Sequence, residues 1–350
     1  MEQRNLLDLS LDQLKEYMKS IEQPEYRAQQ VYSWLFKHQV FNIDAMSNLS
    51  VTLRQQLQQD FFIKLPEIVD VVKSQADGSY KFLLKANDCR LIEALLMLPK
   101  NRVTICVSCM VGCPLKCKFC ATGNEIGFIR KLTPSEIIGQ VILCNNYLKD
   151  HGIAEKITNM VFMGMGEPLL NLEAIKITLE ALLSPDGFNY SRKRITLSTA
   201  GVVDNLVDLL TTYRVKLAVS LHFPNDELRS QYMPINRKYP LSVLIPALKE
   251  LQSKTGEEIL IEYIMLQGIN DQIEHAKELI KLLHGLKVKF NLIPYNPIPS
   301  LDAQPSTEDS INKFATYLIQ HGIMTTVRRS SATDVAGGCG QFVLKSSKKS

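Results

Sequence analysis

Three cysteines, Cys113, Cys117 and Cys120, stand four and three residues apart in Cys-Pro-Leu-Lys-Cys-Lys-Phe-Cys. Thiolates this close in sequence can grip one metal centre from a single loop. Three is one fewer than a closed tetrahedral zinc site or a four-cysteine iron–sulfur cluster requires. A [4Fe–4S] cluster on three cysteines leaves one iron open, and this spacing suits a cluster that binds S-adenosylmethionine (SAM) there. A zinc knuckle with its fourth ligand elsewhere, or three unrelated thiols, also fits the spacing alone. Cys106 and Cys109 bring five of the eight cysteines within fifteen residues. That crowding argues for metal or redox chemistry.

Other residues capable of chemistry fall in short clusters: Gly164-Met165-Gly166-Glu167-Pro168, Ser198-Thr199, Ser220-Leu221-His222 and Tyr295-Asn296-Pro297. Singly, each has a plain structural reading. Gly-x-Gly makes tight turns, Ser198 can cap a helix, and a histidine such as His222 is commonly a hydrogen-bonded structural residue. The glycines also let a backbone approach a ligand closely, and Glu167 can take the ammonium of a methionine moiety. Glu93 lies in the apolar run Leu91-Ile92-Glu93-Ala94-Leu95. On alternation it faces solvent; if desolvated, its pKa rises toward the range of a general base. Cys339 sits in Gly337-Gly338-Cys339-Gly340, where the glycines favour an accessible thiol over a buried small residue. Cys89, Cys109 and Cys144 match no motif and are assigned to packing.

The elements that must position these residues are readable from periodicity. Residues from about 10 to 60 read as short helices, opened by a capping box of Ser10 with Gln13, and ended by Pro66 and the turn Ala76-Asp77-Gly78. Two strand-like runs follow, Tyr80–Lys85 and Arg90–Leu98. From Thr104 onward strands alternate with helices: Thr104–Val107, Ile157–Met163, Arg194–Ser198, Val215–Ser220, Ile259–Met265, Val288–Ile293 and Met324–Arg328. Thr133-Pro134-Ser135-Glu136 is a second capping box, with proline at the first helical position. Six βα units and a seventh strand imply parallel pairing and a curled sheet or partial barrel. Loops after the strands build the sites of such folds, and all the clusters fall there. Their common placement suggests one mouth.

The division that follows is a helical accessory domain over 1–75, a β-hairpin extension over 76–98, and a (βα)6 unit with a C-terminal cysteine segment over 99–350. Composition, at 45% hydrophobic and 22% charged over 350 residues, is that of globular protein with a sizeable core. The formal charge of 40 − 36 = +4 is compatible with a polyanionic partner without demanding one. Basic residues cluster at Arg192-Lys193-Arg194, at Arg328-Arg329, and at Lys345, Lys348 and Lys349; each cluster reads as solvated surface. No apolar run reaches membrane-spanning length and no apolar leader opens the sequence. The expectation is a cytoplasmic protein without structural disulfides.

Taken together, ICVSCMVGCPLKCKFCAT (105–122), FMGMGEPLLN (162–171), ITLSTAG (195–201), VSLH (219–222), MPIN (233–236), YNP (295–297) and CGQ (339–341) resemble the RlmN/Cfr family of radical-SAM RNA methyltransferases across nearly the whole chain. The resemblance implies an α/β fold: a partial (βα)6 radical-SAM barrel with a small helical N-terminal domain. It implies a [4Fe–4S] cluster on Cys113, Cys117 and Cys120, and SAM contacts from Gly166, Glu167, Ser198, Ser220, Leu221, His222 and Asn296. It further implies Cys339 as methyl carrier, Cys106 as resolving thiol and Glu93 as general base, with two SAM consumed per turnover. The implied partners are 23S rRNA and tRNA, with an electron donor such as flavodoxin or ferredoxin, and the chain is expected to be a monomer.

Glu167-Pro168-Leu169-Leu170-Asn171 resembles the branch that methylates adenine C2; the C8 branch typically has alanine where Pro168 stands. A C8 methyltransferase and a radical-SAM enzyme with a non-RNA substrate are the alternatives. Two departures from the family pattern stand out. Ser331–Gly338 lacks most of the charges usual before the carrier cysteine, and Gly123–Phe128 is slightly longer than the common form. Both lie where RNA is expected to approach.

Overall fold

The protein is described by a computed structural model over residues 3–99 and 102–343; the basic tail at Lys345, Lys348 and Lys349 lies outside these residues. Helices α1 (Leu11–Ser20), α2 (Tyr26–Phe36) and α3 (Val51–Asp60) form the N-terminal unit. The Ser10 hydroxyl accepts from Gln13 N, and the Gln13 amide oxygen accepts from Ser10 N, completing the expected capping box. Leu14, Met18, Val31, Leu35, Phe36 and Leu57 close a core that also takes in Ile138 and Ile142. Those two isoleucines belong to α4 (Pro134–Asp150), capped by Thr133 and Glu136. The accessory unit is thus docked on a helix of the larger one.

Ten strands build one sheet in chain order. They are β1 (Glu67–Lys73), β2 (Tyr80–Lys85), β3 (Leu91–Met97), β4 (Thr104–Cys106), β5 (Asn159–Phe162), β6 (Ile195–Thr199), β7 (Lys216–Ser220), β8 (Ile259–Met265), β9 (Val288–Pro294) and β10 (Met324–Val327). β1 to β4 pair antiparallel; β4 to β10 pair parallel. The crossovers carry α4, α5 (Leu172–Leu183), α6 (Leu206–Tyr213), α7 (Asp226–Tyr232) with α8 (Leu241–Thr255), α9 (Ile273–Leu282) and α10 (Glu308–Gln320). Among the described residues β1 and β10 do not pair with each other, so the sheet stays open, as a partial barrel does.

β1 is an addition to the sequence reading, which placed no strand between Pro66 and the 76–78 turn. Its residues are exposed or only half-buried, so no apolar alternation announces it; pairing with β2 creates it. In the parallel region, alternation decides what faces inward. Ile195, Leu197 and Thr199 of β6 are buried, while Thr196 and Ser198 between them are only partly covered and line cavities. Register then aligns Ser220, Glu262, Asn291 and Thr326 in one row across β7 to β10. A one-residue slip would turn that whole row outward. No helix of the described residues is long and apolar enough to cross a membrane.

Candidate active site

The three closely spaced cysteines lie on the loop after the short strand Met110–Gly112. Gly112 takes φ +77, and a Cβ there would stand 1.7 Å from the Gly127 carbonyl oxygen, which accepts a bond from Cys113 N at 2.8 Å. Only glycine lets the loop close on itself. Asn124 holds it from within, donating to the carbonyls of Cys117 and Cys120 at 2.7 Å each. Cys113, Cys117 and Cys120 line one cavity of about 160 Å³. Burial pushes the Cys113 thiol up to about 12 and Cys117 well above its ordinary value. A bound cation reverses that balance by favouring thiolates. Among the described residues no group of three or more His, Cys, Asp or Glu gathers at a single-ion site. Three soft sulfur donors on one cavity wall suit a soft metal or an iron–sulfur cluster.

The same cavity is lined by Gly166, Glu167, Ser198, Ser220 and His222, so the strand-end clusters do converge on one mouth. Gly166 has φ +104, and a Cβ there would fall 2.6 Å from Met110 Cγ. Glu167 is buried; its carboxylate accepts from Leu169 N at 3.2 Å and Ala200 N at 2.7 Å. Burial, opposed by those two bonds, raises its pKa to about 7. His222 is buried and accepts from Ile264 N at Nδ1, 3.1 Å, which requires a neutral ring. Burial, with Arg229 next, depresses its pKa to about 3. Ser198 lines the cavity, leaving the local turn to Thr199, whose hydroxyl accepts from Gly201 N and Val202 N.

Two predicted contacts do not line this cavity. Leu221 is fully buried behind it, its carbonyl accepting from Arg229 Nε. Asn296 instead holds the C-terminal segment, donating to Ser330 Oγ at 2.8 Å and to the Cys339 carbonyl at 3.2 Å. Cys339 itself lines the cavity of the three cysteines and also a second one of about 90 Å³, where it meets Cys106, Cys120, Leu95, Met163 and Arg328. Burial raises both thiols, Cys106 to about 12. All eight cysteines are free.

Glu93 is the clearest departure from simple alternation. It is fully buried rather than solvent-facing, with Lys81 Nζ 3.1 Å from its Oε1, and it lines neither cavity. The cause is long-range: β3 is covered on both faces and sits between β2 and β4. Arg328 also departs from its reading as solvated surface: its side chain is 29% exposed and lines both cavities, whereas Arg329 is 78% exposed. Cys109 and Cys144 are buried as expected, whereas Cys89 is exposed at the turn between β2 and β3.

Sequence reasoning missed three residues that shape the site. Arg229 is wholly buried and donates to the Ala200 carbonyl and to Asn236 Oδ1, each at 2.6 Å, tying together the loops after β6 and β7. Glu262, 3% exposed, interrupts the apolar run of β8 much as Glu93 interrupts β3. That shared signal could have found it. Asn124 carried no signal outside its loop.

Comparison with known proteins agrees with this geometry. Residues 107–283 match the sequence model of the radical SAM superfamily, and residues 4–63 match that of the ribosomal RNA large subunit methyltransferase N-terminal domain. A radical SAM methyltransferase from Sphaerobacter thermophilus is similar over 98% of this chain and 100% of its own, at 39% identity and a TM-score of 0.88. Streptococcus suis SuiB bound to S-adenosylmethionine is similar over 66% of this chain and 52% of its own, at 14% identity and a TM-score of 0.47.

Proposed function

We propose that this chain, which belongs to the RlmN/Cfr family of radical SAM methyltransferases, methylates C2 of adenine in 23S rRNA and in tRNA through a methyl-cysteine at Cys339. Its radical SAM domain takes a [4Fe–4S] cluster and SAM, and Cys113, Cys117 and Cys120 are the residues that fit the cluster. When bound, the two supply a 5′-deoxyadenosyl radical able to take hydrogen from a methyl group. An electron-donor protein such as flavodoxin or ferredoxin belongs to the same proposal.

The observation that carries the reading is that Cys339 lines two cavities at once, one with the three cysteines and one with Cys106. A carrier thiol needs both neighbours. C2 of adenine is an electron-poor amidine carbon and does not attack SAM, so Cys339 takes the methyl group first, by simple displacement. Cys106 later attacks the Cys339 sulfur as thiolate, freeing the methylated base and leaving a disulfide that a dithiol must reduce. Gly166, Glu167, Ser198, Ser220, Leu221 and His222 hold SAM in this reading. Asn296 adds a tether on the carrier segment. Glu93, two residues along β3 from the Leu95 that pairs with Cys106, takes the ring proton. Pro168 supports C2 over C8.

Anaerobic incubation with SAM, a reductant and a 23S rRNA fragment should give 2-methyladenosine; 8-methyladenosine alone would overturn the regiochemistry. Cys106→Ala should trap a covalent protein–RNA adduct, and Cys339→Ala should give neither adduct nor product. An adduct on the Cys339→Ala protein refutes the carrier assignment.

A further inference from the structure

We propose that Glu262 reads the base to be methylated, one oxygen of its carboxylate accepting from the exocyclic amino group of the target adenine. The inference rests on the RNA methyltransferase reading above and gives that reading a specificity-determining residue.

Glu262 lies midway along β8 with its side chain 4% exposed. Its backbone carbonyl accepts from Leu221 N at 3.2 Å and His222 N at 3.4 Å, tying this point of β8 to the corner after β7. Its Oε1 accepts from Asn291 Nδ2 at 3.2 Å, and Arg328 Nη1 stands 3.7 Å from the same oxygen. Asn291 is oriented in turn, because its Oδ1 accepts from Thr326 Oγ1 and leaves the amide nitrogen to face Glu262. The second oxygen, Oε2, is buried and has no hydrogen-bond partner among the described residues. A native fold seldom leaves a buried carboxylate oxygen without a donor, and a ligand that brings the donor removes the cost.

Position narrows the choice of ligand. Glu262 lines the cavity of the three cysteines and Cys339, and also a larger cavity of about 680 Å³ over the inner face of the sheet. Met163, Glu262 and Arg328 are the residues common to the two. None of the residues assigned to SAM lines the larger cavity. The carboxylate therefore stands at the edge of the SAM compartment, where a base arriving along the larger cavity enters the space that Cys339 lines. Chemistry selects the group it meets. A carboxylate only accepts, so its partner must donate. Adenine in RNA has one donor group, the amino group on C6; N1, N3 and N7 are acceptors. That amino group and C2 flank N1 on one edge of the ring, so holding the first orients the second.

A hydrogen bond to a charged acceptor changes affinity by about 10- to 100-fold. The test compares wild type with Glu262→Gln, which keeps an acceptor for Asn291 and turns a donor toward the base. Glu262→Ala serves if the Gln protein fails to fold. With cluster-loaded protein and SAM but no reductant, wild type should bind a short adenosine oligonucleotide about tenfold or more tighter than its purine-riboside counterpart, which lacks only the amino groups. Both variants should bind the two forms alike. Under turnover, the ratio of kcat/KM on a 23S rRNA fragment carrying adenosine or purine riboside at the methylated position should shrink by the same factor. A merely structural role lowers both forms together, and an unchanged ratio overturns the proposal. So does a fall in SAM affinity by calorimetry with the ratio intact, because Oε2 then faces the adenine of SAM. If wild type methylates neither RNA, the methyltransferase reading itself fails, and the binding ratio still decides whether Glu262 reads an adenine amino group.

Discussion

Replacing Arg229 by methionine should leave the fold nearly as stable and still damage SAM binding. The substitution keeps the buried stem and removes the guanidinium. Two acceptors, the Ala200 carbonyl and Asn236 Oδ1, then have no second donor among the described residues. An orphaned buried acceptor costs about 1–3 kcal/mol, so the pair costs about 2–6 kcal/mol. The Leu221 carbonyl is spared, because Phe223 N also donates to it at 2.7 Å. Against this stands the strain of a buried cation. Burial lowers the Arg229 pKa from 12.5 to about 10, and at about 1.4 kcal/mol per unit the charged form is disfavoured by about 3 kcal/mol. The methionine variant escapes that cost. The difference lies between about −1 and +3 kcal/mol, too little to unfold a chain of this size. Local geometry has no such compensation, because the guanidinium joins Ala200 beyond β6 to Leu221 beyond β7, beside Ser198 and Ser220. Urea denaturation should therefore show a small change while SAM affinity, by calorimetry, falls about tenfold or more, or about 1.4 kcal/mol. A loss of stability above about 5 kcal/mol, or unchanged SAM affinity, refutes the reasoning.

The acid response of the cofactor-free protein contains two opposed slopes. The folded His222 pKa lies near 3, below its unfolded value of 6.5, so the unfolded chain binds the extra proton and stability falls as pH drops below 6.5. Glu167, raised from 4.5 to about 7, stabilises fully below 4.5 and loses that contribution as pH rises through 7. Each slope is about 1.4 kcal/mol per pH unit, and they cancel between 4.5 and 6.5. His222→Asn, which keeps an acceptor for Ile264 N, should expose the Glu167 slope; denaturation midpoints that stay flat in that variant would contradict it. A separate prediction concerns Asp334, whose oxygens accept from Ser74 Oγ at 2.7 Å and Gln75 N at 2.9 Å. Asp334→Ala should speed hydrogen exchange across residues 331–339 without affecting the N-terminal helices, and unchanged exchange there would show that the contact does not restrain the segment.

What the sequence made legible follows from the range of the forces involved. The capping boxes at Ser10 and Thr133 and the seven parallel strands rest on local chemistry and a period of two, so they were readable. The convergence of Cys113, Gly166, Ser198, Ser220 and His222 was readable too, because parallel βα connections leave little choice about where strand-end loops gather. Glu93 and Arg328 were not, because alternation says which residues share a face and never which face is covered. That answer came from strands far away in sequence: β2 and β4 flank Glu93, and β9 fixes the register that turns Arg328 inward. The altered segment before Cys339 belongs to the same class. Its sequence suggests lost charges at an RNA-facing loop, yet its one retained carboxylate is engaged internally. Asp334 grips the turn between β1 and β2, and Asp77 of that turn accepts from Ala332 N at 3.0 Å. Downstream, the Gly340 carbonyl accepts from Ala121 N at 2.7 Å, beside Cys120. The Cys339 thiol is thus suspended between the antiparallel extension and the loop that carries Cys113, Cys117 and Cys120. Charge in this segment serves to place Cys339 between the two cavities.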